Sequence, residues 1–490
     1  MPQQIQNNLP IIKRVYNNGM VSEDIVDEYV APAGTVSLSI NGHFDKLGVW
    51  KTRPGTTRLG DAQIVDNKSV KGLFQFLDEG TGTNNQIIAV VNTVAYYLSG
   101  TTWTSKRASL TADKKARFTS FLDSVWMVNN SEATAIWSGA AGDNFVTTGS
   151  ASSAPIGKFI DNFKNRVFIA NNNTNPSRLF FSSLPSSGAV TWTTASDFID
   201  ISPGDGEDIT GIKRFNKVLW VFKENFMYPL YSINETEPDP RIFVGTYSQE
   251  SVVVAKDGMY WHHPSGIYRL RPGESQPKEI SRPIYGVIKN VTLANYTETA
   301  SWVDDDHVYT YIGNITLDNN GPTISNCVAR WTISTEVWTL YSYPSPYLVG
   351  AQYNNGTNIV QVVGDDDGYV YTFNSGLTDN ILTTGTPIFY HLETQFDSIT
   401  PLRSDSKIIT KMAVLHENAS GAKFGWKADK DSKNEVKPIG VLDGKMDTIF
   451  DHLDIQGHRI KFVLSGTSIG SPLIFQGFEL LEYTNQGNTE

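Results

Sequence analysis

The apolar residues of this chain fall in short alternating runs, a pattern that confines it largely to strands. Ile87-Ile88-Ala89-Val90-Val91, Val125-Trp126-Met127-Val128, Val167-Phe168-Ile169-Ala170 and Val218-Leu219-Trp220-Val221-Phe222 are typical. They are rich in β-branched and aromatic residues and bounded by Gly, Asn, Asp, Ser or Pro, as strands between turns are. Helical spacing is scarce. Val21, Ile25 and Tyr29 share one helical face behind a Ser22 cap, which predicts two turns of helix over 21–29, and residues 113–122 are a weaker case. The chain is expected to be nearly all β.

Many short strands over several hundred residues raise the question of repetition. Phe121-Leu122-Asp123-Ser124-Val125-Trp126, Phe163-Lys164-Asn165-Arg166-Val167-Phe168 and Phe215-Asn216-Lys217-Val218-Leu219-Trp220 align without gaps, with starts 42 and 52 residues apart. Each runs from an aromatic through a short polar turn into a buried strand. Trp-Thr closes three further hairpins, at Trp103, Trp192 and Trp338, and Asp-Gly turns stand at 257–258 and 367–368. A unit of about 40–50 residues with four short strands is the β-propeller expectation. A single four-stranded sheet cannot bury both faces, whereas blades stacked radially bury each other's. The rival arrangement, a string of β-sandwiches, would call for Pro/Ser-rich linkers.

The expected fold is an all-β β-propeller of about six or seven blades over residues 66–382. Residues 1–65 are too short for a core of their own and form an N-terminal platform or interface segment. The longer, more widely spaced strands of residues 383–490 suggest a β-sandwich-like domain. Composition narrows the function. The 490 residues carry 51 Asp+Glu against 40 Lys+Arg, a net −11, which disfavours wrapping nucleic acid through basic patches. The lone Cys327 permits no intrachain disulfide and suits a reducing compartment. The polar, uncharged start Met1–Asn8 is unlike a secretory leader, and no run approaches 18 apolar residues.

Motifs that could carry chemistry have blander readings beside them. Gly466-Thr467-Ser468-Ile469-Gly470 fits the nucleophile-elbow pattern, but a β run follows where the elbow needs a helix, so a hairpin turn is expected. Asp365-Asp366-Asp367-Gly368 lacks the alternating spacing and closing Glu of a calcium loop, and both it and Asp304-Asp305-Asp306 read as solvated turns rather than calcium sites. Pro203-Gly204-Asp205-Gly206-Glu207-Asp208 reads as a loop that meets a partner. His262 and His263 would point to opposite faces of a strand and could not share a metal. No phosphate loop, dinucleotide fingerprint or zinc spacing is present, so no cofactor, metal or catalytic residue is assigned. Lys51, Arg53 and Arg58 flank the first turn and, with Asp205, Glu207 and Asp208, are the candidate interface residues. Lys106 and Arg107 form a further pair suited to subunit salt bridges.

Two segments at opposite ends resemble one family. Pro32-Ala33-Gly34-Thr35-Val36-Ser37-Leu38-Ser39-Ile40 through Thr52-Arg53-Pro54-Gly55 is similar to the opening of the tail hub, or nozzle, proteins of short-tailed bacteriophages, also called packaged-DNA stabilization proteins. Thr52 stands where the family's turn carries Lys or Arg. Gly457-His458-Arg459-Ile460-Lys461-Phe462 through Phe475-Gln476-Gly477-Phe478-Glu479-Leu480 is similar to the same family's terminal domain. The resemblance implies a propeller with a platform built from both chain ends, and a structural virion protein without catalysis. It further implies a homo-oligomeric ring, a hexamer, below the portal and adaptor proteins. That ring would surround exiting DNA without specific binding, hold tail fibres or spikes, and assemble in the host cytoplasm without inserting in a membrane. The alternative is a glycan-binding or glycan-cleaving propeller at a virion or cell surface. Cleavage would need two carboxylates across a sugar bond, and the Trp-Thr hairpins lack the Asp-x-Gly core of sialidase-type turns.

Overall fold

The computed structural model describes residues 11–22, 32–45, 48–77, 85–234, 241–317, 322–379, 385–398, 406–428, 435–444, 446–468 and 470–486. Half of the chain is strand and 4% is helical. Six small sheets stand in a ring as the blades of a β-propeller. They span residues 70–107, 117–137, 159–200, 211–230, 253–279 and 349–372, with three or four strands each.

The aligned repeat is the inner hairpin of three successive blades. The strands Arg117–Phe121, Phe159–Phe163 and Gly211–Phe215 each turn back on the next strand through two residues. Leu122 and Asp123, Lys164 and Asn165, and Asn216 and Lys217 all have positive φ, the backbone of a type I′ turn, whose twist matches that of the flanking strands. The Trp-Thr echo is not one structural position. Trp103 lies on a blade's outer strand, Trp192 on the connection between the third and fourth strands of the third blade, and Trp338 in the strand Val337–Ser342.

Apolar clusters fill the gaps between sheets. Trp126 and Ile169 meet between the second and third blades, Leu179 and Leu219 between the third and fourth, and Trp220 and Trp261 between the fourth and fifth. The sector between the fifth and sixth blades is filled differently. Residues 300–342 supply four strands that pack on both blades, yet belong to a nine-stranded sheet extending out of the ring. The sixth blade takes its outermost strand, Thr57–Arg58, from the N-terminal segment: Tyr371 pairs with Arg58. A strand from before the first blade thereby completes the last one.

The platform is a two-sheet sandwich to which both chain ends contribute. In the nine-stranded sheet, Val36–Ile40 lies between Val337–Ser342, to which it is parallel, and Ile388–Thr394, to which it is antiparallel. In the seven-stranded sheet, Ile12–Arg14 and Trp50–Thr52 both pair with the terminal strand Ile474–Gln486. The two sheets share one core, where the rings of Phe462 and Phe478 lie 4.5 Å apart. The sheets therefore cross the divisions read at residues 65 and 382.

Local expectations differ at three places. Residues 113–122 form a turn and the inner strand Arg117–Phe121 rather than a helix, because Phe118 and Thr119 alternate in a ladder with Met127 and Trp126. The short helices Tyr285–Ile288 and Leu293–Glu298 arise instead beside the fifth blade. Most of the helix expected at 21–29, like Met1–Asn8, lies outside the described residues. Val21 and Ser22 are not helical. Ser468 ends the strand Ile460–Ser468, and the chain then passes from one platform sheet to the other. The expected hairpin is thus a sheet-to-sheet crossover, with Ile469 outside the described residues. Among the described residues no helix is long and apolar enough to cross a membrane.

Entry to the ring-closing strand depends on Gly55. A Cβ at this position would lie 1.9 Å from the Thr378 carbonyl oxygen, whereas one at Gly142 would meet nothing within 4 Å. Gly55→Ala is expected to lower the melting temperature by several degrees, with Gly142→Ala close to neutral as the control. Thermal unfolding followed by circular dichroism reads the difference.

Candidate functional site

The inner strands of the ring surround a cavity of about 440 Å³. Gln75, Lys213, Gln249 and Gln352 give it a polar wall. Arg117 Nε, on the second blade, lies 2.8 Å from Oε1 of Glu250, in the turn Gln249–Ser251 that leads into the fifth blade. These blades are not neighbours, so the pair spans the cavity. Lys115 Nζ sits 3.4 Å from the other Glu250 oxygen and donates to the Thr297 carbonyl at 2.9 Å. Burial alone would raise the Glu250 carboxyl, but the Arg117 and Lys115 charges outweigh it and hold it well below the usual carboxylate range. A carboxylate so held is a poor proton donor. Its function here is to brace the ring from inside.

Each acidic turn directs its first aspartate inward, while Asp305 and Asp366 remain exposed. Asp365 Oδ1 accepts the Asp367 and Tyr369 backbone N–H groups at 3.0 and 2.8 Å, and Oδ2 accepts the Tyr371 hydroxyl at 3.0 Å. Asp304 repeats the arrangement with the N–H groups of Asp306 and His307 and the hydroxyl of Tyr309. Asp257 accepts from the Tyr260 hydroxyl at 2.8 Å. An aspartate that takes a tyrosine hydroxyl from the following strand, and at Asp365 and Asp304 also caps its turn, is therefore a structural repeat that hydrophobic patterning missed. The spacing of Asp to a Tyr three to six residues on was its only sequence signal. Among the described residues no group of three or more His, Cys, Asp or Glu is placed to hold a metal ion. His262 is buried, with Nδ1 3.2 Å from Thr299 Oγ1, while Nδ1 of His263 meets Ser265 Oγ at 2.6 Å.

Of the residues read as interface candidates, Arg53 is not available to a partner. Its guanidinium is 1% exposed and holds the propeller to the platform. Nε donates to Asn41 Oδ1 at 2.8 Å, Nη1 to Asp379 Oδ1 at 2.8 Å, and Nη2 to the Ser342 carbonyl at 2.8 Å, with the Tyr343 ring stacked 4.0 Å away. Asp205 is likewise turned inward. It pairs with the fully buried Lys223 at 2.6 Å and accepts from the Tyr228 hydroxyl at 2.9 Å. In both, a charge that looks free in a turn meets its partner on another segment, 326 residues away for Arg53 and 18 for Asp205. Lys51 is half-exposed beside Asp45 at 2.7 Å, and Arg58 lies over the Tyr369 ring. Glu207 accepts the backbone N–H of Asn225 at 2.9 Å, and Asp208 is exposed. Lys106 points inward onto Tyr97 and the Asp143 carbonyl, and Arg107 donates to the Ala133 carbonyl.

No family model matches this chain, and no curated protein matches it. Three solved structures are similar to it in part. The computationally designed Ika8 protein shares 12% identity over 64% of this chain and 98% of its own, with a TM-score of 0.39. A chain of the Mitotic Checkpoint Complex shares 9% over 67% and 95%, with a TM-score of 0.39. YCF48 from Cyanidioschyzon merolae shares 10% over 65% and 98%, with a TM-score of 0.40.

Two carboxyls should leave opposite marks on stability. Burial raises Asp365 to about 6 from an ordinary 3.8, against the pull of its three donors. The folded chain then binds that proton more tightly than the unfolded chain, so ionisation costs stability as pH rises from about 4 to 6. Glu250 has the reverse sign: its contribution is present above an ordinary value of 4.5 and is lost as pH falls below it. Urea midpoints across pH 3–7 should show Asp365→Asn flattening the first slope and Glu250→Gln the second. Glu250→Gln should also cost about 3 kcal/mol at pH 7 by leaving Arg117 unmatched. Arg53→Ala should cost about 3–5 kcal/mol, and adding Asp379→Ala should cost little more, a coupling that a double-mutant cycle reads.

Proposed function

We propose that this chain is a structural subunit of a bacteriophage tail. In this reading it forms a ring-shaped nozzle that extends the DNA exit channel below the portal and adaptor, helps retain packaged DNA and carries fibres or spikes. The observation that supports it most is the meeting of the two family-like segments. Val36–Ile40 and Trp50–Thr52 from the first, and Ile460–Ser468 and Ile474–Gln486 from the second, are strands of one platform. A platform woven from both ends, with a rigid propeller beside it, suits a part that works by geometry. Its walls must hold shape while another molecule passes.

The charge supports the same reading. A net −11 favours sliding over adhesion for a phosphate backbone within a ring. The propeller's own channel is bridged by Arg117 and Glu250. The path for DNA would therefore be the bore between subunits, not the axis of one propeller. Lys51, Arg58, Glu207 and Asp208 keep enough exposure to meet a neighbour. The glycan-cleaving alternative would want an ionisable pair facing an open cleft, and the carboxylate in the channel is already matched by two cations.

Electron microscopy and light scattering of the purified protein, alone and with a portal–adaptor complex, test the proposal. Rings of uniform subunit number are expected, with no DNA retained at physiological salt. A monomer in both preparations, or tight salt-sensitive DNA binding, would overturn it.

A further inference from the structure

We infer that neighbouring copies of this chain join edge to edge, the strand Asp447–Phe450 of one adding antiparallel to the strand Ile12–Arg14 of the next. The inference rests on the ring reading and names the surface that would build the ring.

Both strands belong to the seven-stranded platform sheet, and they lie on opposite sides of it. Ile12–Arg14 pairs with Ile474–Gln486, that strand with Ser406–Glu417, and that strand with Asp447–Phe450, every pairing antiparallel. The registers place all four at one level. Ile12 is opposite Leu480, Leu480 opposite Met412, and Met412 opposite Phe450. Among the described residues neither outer strand has a second strand neighbour. Since strand direction alternates across the ribbon, a copy translated and rotated about a common axis brings its first strand antiparallel to the last strand of its neighbour. No strand needs to reverse.

The side chains at the two edges complement each other. At one edge Ile11 is 63% and Val15 46% exposed, with Lys13 between them. At the other Met446 is 70% and Ile449 58% exposed, beside Asp447 and Asp451. Large aliphatics on an open strand edge are a liability for a chain that stays alone. Here Lys13 accompanies them on one side, Arg14 being paired with Asp397, and mainly aspartates on the other, with Lys411 and His452 close to Asp451. Glu479 already shares Lys13 at 3.4 Å on the exposed face. An antiparallel register that sets Lys13 opposite Asp447 also sets Ile11 opposite Ile449. Because the two edges differ, the contact is heterologous and repeats head to tail, the kind of contact that closes into a ring when the rotation permits.

The full-length protein with both Ile11→Cys and Ile449→Cys is the direct test. Cross-strand Cα atoms lie within the span a disulfide needs, and the native Cys327 is fully buried. Under mild oxidation the double variant should give a non-reducing ladder beyond the dimer, while either single variant stays monomeric. Lys13→Glu and Asp447→Lys should each raise the concentration for half-assembly about tenfold, and the two together should restore it. Dimers from Ile449→Cys alone would mean a symmetric contact and overturn the inference. Rings seen by microscopy with no ladder would overturn it and leave the ring reading standing. Monomers throughout, with no ladder, would overturn both.

Discussion

One five-residue strand holds this molecule together. Val36–Ile40 is buried along its whole length. It lies between the last strand of the ring sector, Val337–Ser342, and the first platform strand after the propeller, Ile388–Thr394. Without it the nine-stranded sheet would be two sheets with open edges, one in the ring and one in the platform. Val36, Leu38 and Ile40 are each within 6% of full burial and enter the largest core, worth about 1.5–3 kcal/mol apiece. The turn that follows secures the joint. Asn41, with positive φ, donates to the Phe389 carbonyl and accepts from the Ser342 N–H and from Arg53, so one side chain links three segments.

Charges inside the fold follow a common rule. Taking a carboxylate from water is costly unless a cation or several donors meet it. Glu250 has Arg117 and Lys115, Asp379 has Arg53, Asp205 has Lys223, and Glu393 has Lys427 at 2.9 Å. Asp365 and Asp304 have tyrosine hydroxyls and their own loop N–H groups, and Asp257 has the Tyr260 hydroxyl with Arg269 and Arg271 beside it. Arg117–Glu250 and Arg53–Asp379 brace seams between sheets, whereas Glu393–Lys427 joins two strands that flank Ile460–Ser468 within the nine-stranded sheet. An acidic cluster in this chain is thus a sign of a tight turn or seam.

What was legible in the sequence was local. Two-residue turns after Phe121, Phe163 and Phe215 announced the blades, because a type I′ hairpin is fixed by four adjacent residues. Opposite facing of His262 and His263 followed from the strand alone. What was hidden depends on pairs hundreds of residues apart. Nothing near Thr57 or Arg58 says that they complete a blade at Tyr371, and nothing near Arg53 points to Asp379. Arg53 was read as a surface charge for that reason. The Gly-x-Ser-x-Gly match was rightly denied an elbow, since a strand follows it, but its role in switching sheets needed both sheets in view. At residues 113–122, helical spacing and strand alternation compete in a short window, and packing against the neighbouring hairpin decided the outcome.

The ring-closing strand has a consequence in time as well as space. Thr57–Arg58 leaves the ribosome before any blade, yet its partner, Val370–Thr372, is made only after all the others. Val36–Ile40 waits similarly for Ile388–Thr394, and Ile12–Arg14 for the last strand of all. The blades can form one by one as hairpins emerge, but the strands that seal the ring and the platform wait for partners made well after them. Ring closure thus waits on Val370–Thr372 and platform assembly on the strands beyond it, and a chain cut short before Ile474 would leave Ile12–Arg14 without its partner strand.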